Sequence, residues 1–156
     1  MKNNLSHVEE FMAVRRFAFV GVSREEKDFT RQLFTEFRNR GYEAVPVNPF
    51  TMTIAGQSCF ASAAEISPGV SAALITTAPD QMPAAVADCL EAGINLIWIL
   101  NKKGYEMLDS HTREILEAPS RRLIVGLCPY MFLPDSAFIH RLHGWIMKIS
   151  GSYPTP

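Results

Sequence analysis

The chain has 156 residues, a formal net charge of −1, and 47% hydrophobic against 20% charged residues. This length predicts one domain over residues 1–156, and the composition favours a folded globular protein over a disordered one. The near-neutral charge gives no sign of a nucleic-acid partner. No apolar run reaches the roughly 18 residues of a membrane span, and the N-terminal residues lack the pattern of a signal peptide.

The number and positions of the cysteines indicate whether the protein lies in a reducing or an oxidising compartment. Cys59, Cys89 and Cys128 are odd in number and show no metal-binding spacing. Cys89 and Cys128 lie in or beside apolar runs, which favours buried free thiols in a reducing environment. We therefore expect a cytoplasmic protein without a membrane partner.

Strands and helices alternate along the chain. The predicted strands share short apolar runs bounded by turn residues, and they cover residues 17–22, 42–47, 70–76, 94–100 and 122–125. The predicted helices between them share apolar side chains at helical spacing or a glycine at one end, and they cover residues 29–40, 79–92 and 104–116. This alternation is typical of βαβ units with a parallel sheet.

Right-handed crossovers then make a three-layer, Rossmann-like, doubly wound α/β sheet of about five strands the predicted fold. Its core is expected over residues 15–132. Pro46 in the second predicted strand requires an edge or end position, because proline cannot donate a ladder hydrogen bond.

Two predicted helices lie outside the alternation. Residues 6–13 are expected to form a short helix, with Ser6 as N-cap and Glu9 completing a capping box. Residues 136–150, within a C-terminal extension over residues 134–150, carry an apolar stripe opposite a basic face. That stripe is compatible with packing on the sheet, with a homodimer, or with a membrane surface.

The segment FVGVSREEKDFT follows the first strand and has features of a phosphate-binding turn. Gly21 occupies the first glycine position of a G-x-G-x-x-G turn, but the other glycines are absent. Backbone amides, the hydroxyls of Ser23 and Thr30, and the charge of Arg24 or Lys27 can instead hold a diphosphate. The alternative is a solvated loop in which Ser23 and Thr30 cap the next helix.

The other strand ends add polar and proline-rich turns. The second strand ends at Val47-Asn48-Pro49, where a dinucleotide site usually has Asp or Glu. Asn48 can meet a ribose or base and Pro49 can pack on adenine, or the pair is an ordinary turn.

The third strand ends in Thr76-Thr77-Ala78-Pro79, which can line a nucleotide or pantetheine channel or simply start a helix. The fourth ends in Leu100-Asn101-Lys102-Lys103-Gly104, whose lysines can add positive charge to a crevice or remain solvated.

Taken together, these strand ends resemble the CoA-binding domain family, a Rossmann-like module related to the nucleotide-binding domain of the succinyl-CoA synthetase α subunit. The resemblance covers residues 17–132. It is carried by the segments FAFVGVSREEKDFT, GYEAVPVNP, SAALITTAP, GINLIWILNKKG and IVGLCPYMFL, in that order.

The resemblance implies coenzyme A or acyl-CoA as the ligand. By analogy, the first loop would hold the diphosphate through Gly21, Val22, Ser23, Arg24, Lys27 and Thr30. The adenosine would lie by Val47, Asn48 and Pro49, and the crevice would be lined by Thr77, Ala78 and Pro79, with Asn101 after the fourth strand.

Catalytic groups are not evident in the sequence. The related synthetase uses a phosphorylated histidine on a second domain, whereas His7, His111, His140 and His143 fall at no predicted strand end. His140 and His143 have the spacing of two metal ligands but lack a clear third, so no metal is expected. Asp80 is the only acid near a predicted strand end of interest.

The predicted function is therefore a non-catalytic CoA or acyl-CoA binding protein, with a sensor or regulator as its role. One alternative is an NAD(P)-type enzyme or redox sensor, for which Arg24 would suit a 2′-phosphate. Cys128 lies near the binding edge, but its apolar flanking residues favour a buried thiol over a reactive one. The other is an interaction protein that kept the fold without the ligand.

Overall fold

The computed structural model describes residues 3–133. Its helices are α1 (Leu5–Ala13), α2 (Phe29–Asn39), α3 (Met82–Glu91), α4 (Lys102–Glu106) and α5 (Ser110–Leu116). Its strands are β1 (Arg16–Val20), β2 (Glu43–Val47), β3 (Thr53–Ile54), β4 (Gln57–Ser58), β5 (Ala72–Ile75), β6 (Leu96–Ile99) and β7 (Arg122–Val125). The predicted helix over residues 136–150, and with it the basis for a homodimer, lies outside the described residues.

Five parallel strands form the main sheet in the order β2-β1-β5-β6-β7. The Rossmann-like fold class is therefore confirmed. From β1 the chain first adds β2 on one side and later β5 on the other, so the strand order reverses between β1 and β5. Ligands of doubly wound sheets bind at such a switch point, outside the carboxyl ends of the strands.

The sheet is covered on both faces, because successive side chains of each strand point to opposite sides. Phe17 and Phe19 of β1 are fully buried in an aromatic-rich core with α1 and α2. Ala18 and Val20 alternate with these two residues along β1 and therefore point to the opposite face. They are buried there in an aliphatic core with α3, α4 and α5. These two cores give the three predicted layers.

The edge strand of the sheet is β2, which contains a proline. Pro46 lies in this edge strand, in register with Phe19 of β1, as expected for a residue without an N–H. Beyond it, the N–H of Phe60 donates to the Pro46 carbonyl at 3.0 Å. Residues 3–133 contain no helix with the length and apolar character needed to cross a bilayer.

Two local predictions were wrong. The helix expected over residues 104–116 is two helices, because Asp109 starts α5 by accepting a hydrogen bond from the Thr112 N–H at 2.9 Å. The N-cap of α1 is Asn4 rather than Ser6, since Asn4 Oδ1 accepts from the Ser6 N–H at 2.9 Å.

Candidate functional site

A cleft of about 740 Å³ opens beside the carboxyl ends of β1 and β2. Its walls are the loop after β1, the turn after β2, the segment at residues 61–62, and the region from Thr77 to the middle of α3. The volume is within the range of small-molecule sites. The cleft lies on the switch-point side of the sheet, where the fold predicts a ligand.

Gly21 allows β1 and β5 to approach each other at this point. Its backbone has φ +88°, a left-handed conformation that favours glycine. A Cβ built on Gly21 would lie 2.7 Å from Thr77 Cγ2 and 2.8 Å from the Thr77 nitrogen. On the other side, the Gly21 N–H donates to the Val47 carbonyl at 2.9 Å. Gly21 thus joins the ends of three neighbouring strands.

Thr30 shapes the loop after β1 from outside the cleft. Its Oγ1 accepts a hydrogen bond from the Ser23 N–H at 3.0 Å and donates to Asp28 Oδ1 at 2.6 Å. Asp28 is the N-cap of α2, because Oδ1 also accepts from the Thr30 N–H at 2.7 Å. The capping of this helix by Ser23 and Thr30, one part of the solvated-loop alternative, is therefore wrong.

The same loop presents hydrogen-bond donors and one positive charge. Ser23 and the exposed Arg24 line the cleft, whereas the exposed Lys27 does not. Within residues 3–133, no carboxylate pairs with Arg24 or Lys27, and the backbone N–H groups of Val22 and Arg24 have no acceptor. This arrangement is suited to an anion that accepts several hydrogen bonds.

Asn48 ties the loop after β1 to the turn after β2. Its Nδ2 donates to the Val22 carbonyl at 3.0 Å, and its Oδ1 accepts from the Phe50 N–H at 2.9 Å. Val47, Asn48 and Pro49 all line the cleft, as does Phe50. Asn48 therefore lines the cleft while its side-chain amide holds the two walls together.

The other predicted residues divide into two groups. Thr77 lines the cleft and is buried, with its Oγ1 donating to Met82 Sδ at 3.9 Å. Ala78 and Pro79 lie next to it, at the start of a short 3₁₀ helix, but do not line the cleft. Asn101 is also outside the cleft and caps α4, with its Oδ1 accepting from the Gly104 N–H at 3.2 Å.

Sequence reasoning missed the wall formed by residues 61–65 and α3. Asp88 of α3 accepts a hydrogen bond from the Ala63 N–H at 2.7 Å and a short one from the Ser62 hydroxyl. Ser62 and Asp88 both line the cleft, as does Asp80. A signal for this segment was present in Ser62-Ala63-Ala64-Glu65, which has the spacing of a capping box.

The thiols lie in environments that oppose ionisation. Burial raises the pKa of Cys128, while a backbone hydrogen bond at Tyr130 lowers it less. Burial, assisted by the nearby Asp88 carboxylate, raises the pKa of Cys89 to about 12. Raised pKa values disfavour the nucleophilic thiolate, so Cys128 lacks the setting of a reactive cysteine. Residues 3–133 also contain no cluster of metal-binding side chains, and His140 and His143 fall outside them.

The parallel sheet, its switch point and the cleft beside it define a Rossmann-like protein with a cleft where such folds bind their ligands. Comparison with known families makes this more specific. A family model described as CoA binding domain matches residues 15–134. The chain therefore belongs to the CoA-binding domain family.

Individual proteins resemble the chain at low sequence identity. An uncharacterized protein of Bacillus subtilis, YneT, is 24% identical over 106 residues, which are 65% of this chain and 78% of that protein. The structure of a conserved hypothetical protein from Pyrococcus furiosus has a TM-score of 0.62 and 24% identity, covering 73% of this chain and 95% of that chain.

A larger enzyme contains a similar fold. The acetyl-coenzyme A synthetase 1 of Ca. Korarchaeum cryptofilum has a TM-score of 0.58 and 20% identity. The match covers 69% of this chain but only 24% of the enzyme. At this identity the likeness concerns the fold alone.

Proposed function

We propose that the protein binds coenzyme A or an acyl-CoA in the cleft, with the ligand's diphosphate against the loop after β1. One observation carries the proposal. In this member of the CoA-binding domain family, Gly21 lies in close contact with Thr77 where the strands β1 and β5 end, beside the cleft at the switch point. Thr77 leaves no room for a side chain at position 21, and a turn without a side chain lets a ligand approach the backbone closely.

The proposed anion site is the loop itself rather than the first turn of α2. The Asp28 side chain already occupies the N-terminus of that helix. The N–H groups of Val22 and Arg24 and the Arg24 guanidinium remain for the diphosphate. The Ser23 hydroxyl can still donate its proton, although its oxygen accepts from the Glu25 N–H at 3.1 Å. Hydrogen bonds between ionised partners are roughly twice as strong as neutral ones, so Arg24 is expected to contribute most per residue.

The cleft favours this ligand over a dinucleotide. NAD sites usually hold a ribose with an acid at the end of the second strand. This position is Asn48, and its side chain is engaged with Val22 and Phe50. We propose a binding role, as a sensor or regulator of CoA species, in the cytoplasm. The free thiols are consistent with a reducing compartment.

Two charge reversals test the diphosphate site. Arg24→Glu should weaken CoA binding about 10-fold or more, as expected from losing a charged hydrogen bond worth about 1.5–3 kcal/mol. Lys27→Glu is the matched control, because Lys27 lies three residues away and outside the cleft. It should change binding less than about threefold, as for an exposed charge that does not line the cleft.

Isothermal titration calorimetry with CoA, acetyl-CoA, NAD and NADP would measure both variants against the wild type. Equal losses in the two variants would show that only the overall charge matters. Binding of NADP without CoA would replace the proposal with a dinucleotide site.

A further inference from the structure

Phe50 is an exposed aromatic side chain at the mouth of the cleft. It is 69% exposed and yet lines the cleft. The other large exposed apolar side chains of residues 3–133, namely Phe29, Met52 and Met107, do not line it. Phe50 also has no aromatic partner among the described residues, whereas most of the other rings pack against one another.

The backbone at Phe50 is held in place. Its N–H donates to Asn48 Oδ1 at 2.9 Å, and the same Asn48 side chain donates to the Val22 carbonyl at 3.0 Å. Pro49, just before it, has a fixed φ. Exposure of this ring is therefore built into the turn and does not result from a loose loop.

The position of the ring relates it to the proposed diphosphate site. The turn that carries Phe50 is bonded directly to the loop that carries Arg24, through Gly21 to Val47 and through Asn48 to Val22. A nucleotide with its phosphates on the loop has its base only a sugar away. An exposed ring at that distance offers a stacking surface for a base, an interaction worth about 1–3 kcal/mol per base.

We propose that Phe50 stacks on the base of the bound nucleotide and determines the preference for nucleotide-bearing ligands. This inference rests on the proposed CoA-binding function. The base then lies at the β2 side of the cleft, beside the Val47-Asn48-Pro49 turn that the family resemblance assigns to the adenosine. The pantetheine arm is then left to the part of the cleft that leads towards Thr77 and α3.

The test compares ligands with and without the nucleotide. Phe50→Ala should weaken CoA binding about 5- to 150-fold, the range expected for losing one stacked base. It should leave the binding of 4′-phosphopantetheine, which has no base, unchanged. Met52→Ala is the matched control, because Met52 is a neighbouring, 85% exposed apolar residue outside the cleft.

Phe50→Trp supplies a second readout. It should retain CoA binding, and CoA but not 4′-phosphopantetheine should quench the fluorescence of the new indole. The chain also has the native Trp98 and Trp145, so the wild type titrated in parallel supplies the background emission.

The possible outcomes separate this inference from the function on which it rests. Wild-type binding of CoA with no loss in Phe50→Ala would overturn the stacking role and leave CoA binding in place. Equal losses for CoA and 4′-phosphopantetheine would also overturn it, since the ring would then support the cleft in general. Absence of CoA binding by the wild type would overturn the proposed function itself.

Discussion

Single residues control whether the strand ends can form the cleft. Gly21 combines a positive φ with a close contact to Thr77, so two independent constraints exclude a side chain there. Gly41, which follows α2, has a similar φ of +81° but nothing within 4 Å of a built Cβ. This pair of glycines separates backbone strain from steric conflict.

Gly21→Ala should lower the free energy of unfolding by about 2–5 kcal/mol, the sum of left-handed strain and overpacking. Gly41→Ala should cost only the strain, about 1–2 kcal/mol. Urea denaturation followed by circular dichroism would measure both. Equal costs would mean that the Thr77 contact relaxes without penalty and that Gly21 is not a packing requirement.

The roles of several residues could be predicted only in part from the sequence. Gly21 was identified from its place after an apolar run, because that signal is local. The roles of Thr30 and Asn48 could not be foreseen, since Thr30 bonds to a backbone group seven residues away and Asn48 to one 26 residues away. Which polar atoms are free for a ligand depends on such contacts.

At the scale of elements, α3 supports the far wall of the cleft through Asp88. The Asp88 carboxylate accepts from the Ala63 N–H and the Ser62 hydroxyl, and this fixes the segment at residues 61–65 against the helix. Asp80, at the start of the same region, also lines the cleft but is exposed. Of these two carboxylates, only that of Asp88 accepts hydrogen bonds from the segment at residues 61–65.

Asp88→Ala should destabilise the fold by about 1–3 kcal/mol, because it leaves two polar groups without their acceptor. Asp80→Ala, as the control, should remain within about 0.5 kcal/mol of the wild type. Thermal and chemical unfolding would give both values. If Asp80→Ala proved the more costly variant, the wall would be held by contacts other than those of Asp88.

Most of the main elements could be predicted, because apolar runs and helical spacing are local patterns. The break between α4 and α5 was missed, since the apolar spacing continues across it while the Asp109 cap interrupts the backbone. The hairpin of β3 and β4 was missed because strands of two residues are too short to show an alternation.

For the whole molecule, the alternation of strands and helices predicted a parallel sheet but not its strand order. Doubly wound sheets have more than one common order, and each places its switch point between particular strands. The observed order puts that point between β1 and β5, which brings Gly21 beside Thr77. Residues far apart in sequence, such as Arg24 and Asp88, therefore line one cleft.

The most direct test of CoA binding in this cleft is a titration with CoA followed by ¹H–¹⁵N NMR. We expect the amide signals of residues 21–24, Val47, Asn48, Phe50 and Thr77 to shift together and saturate. A second groove of about 540 Å³ beside α5 should give unchanged signals for its lining residues other than proline, namely Ser110, Arg113, Glu114, Glu117 and Ala118. Shifts confined to that groove, or none at saturating CoA, would contradict the assignment of the cleft as the CoA site.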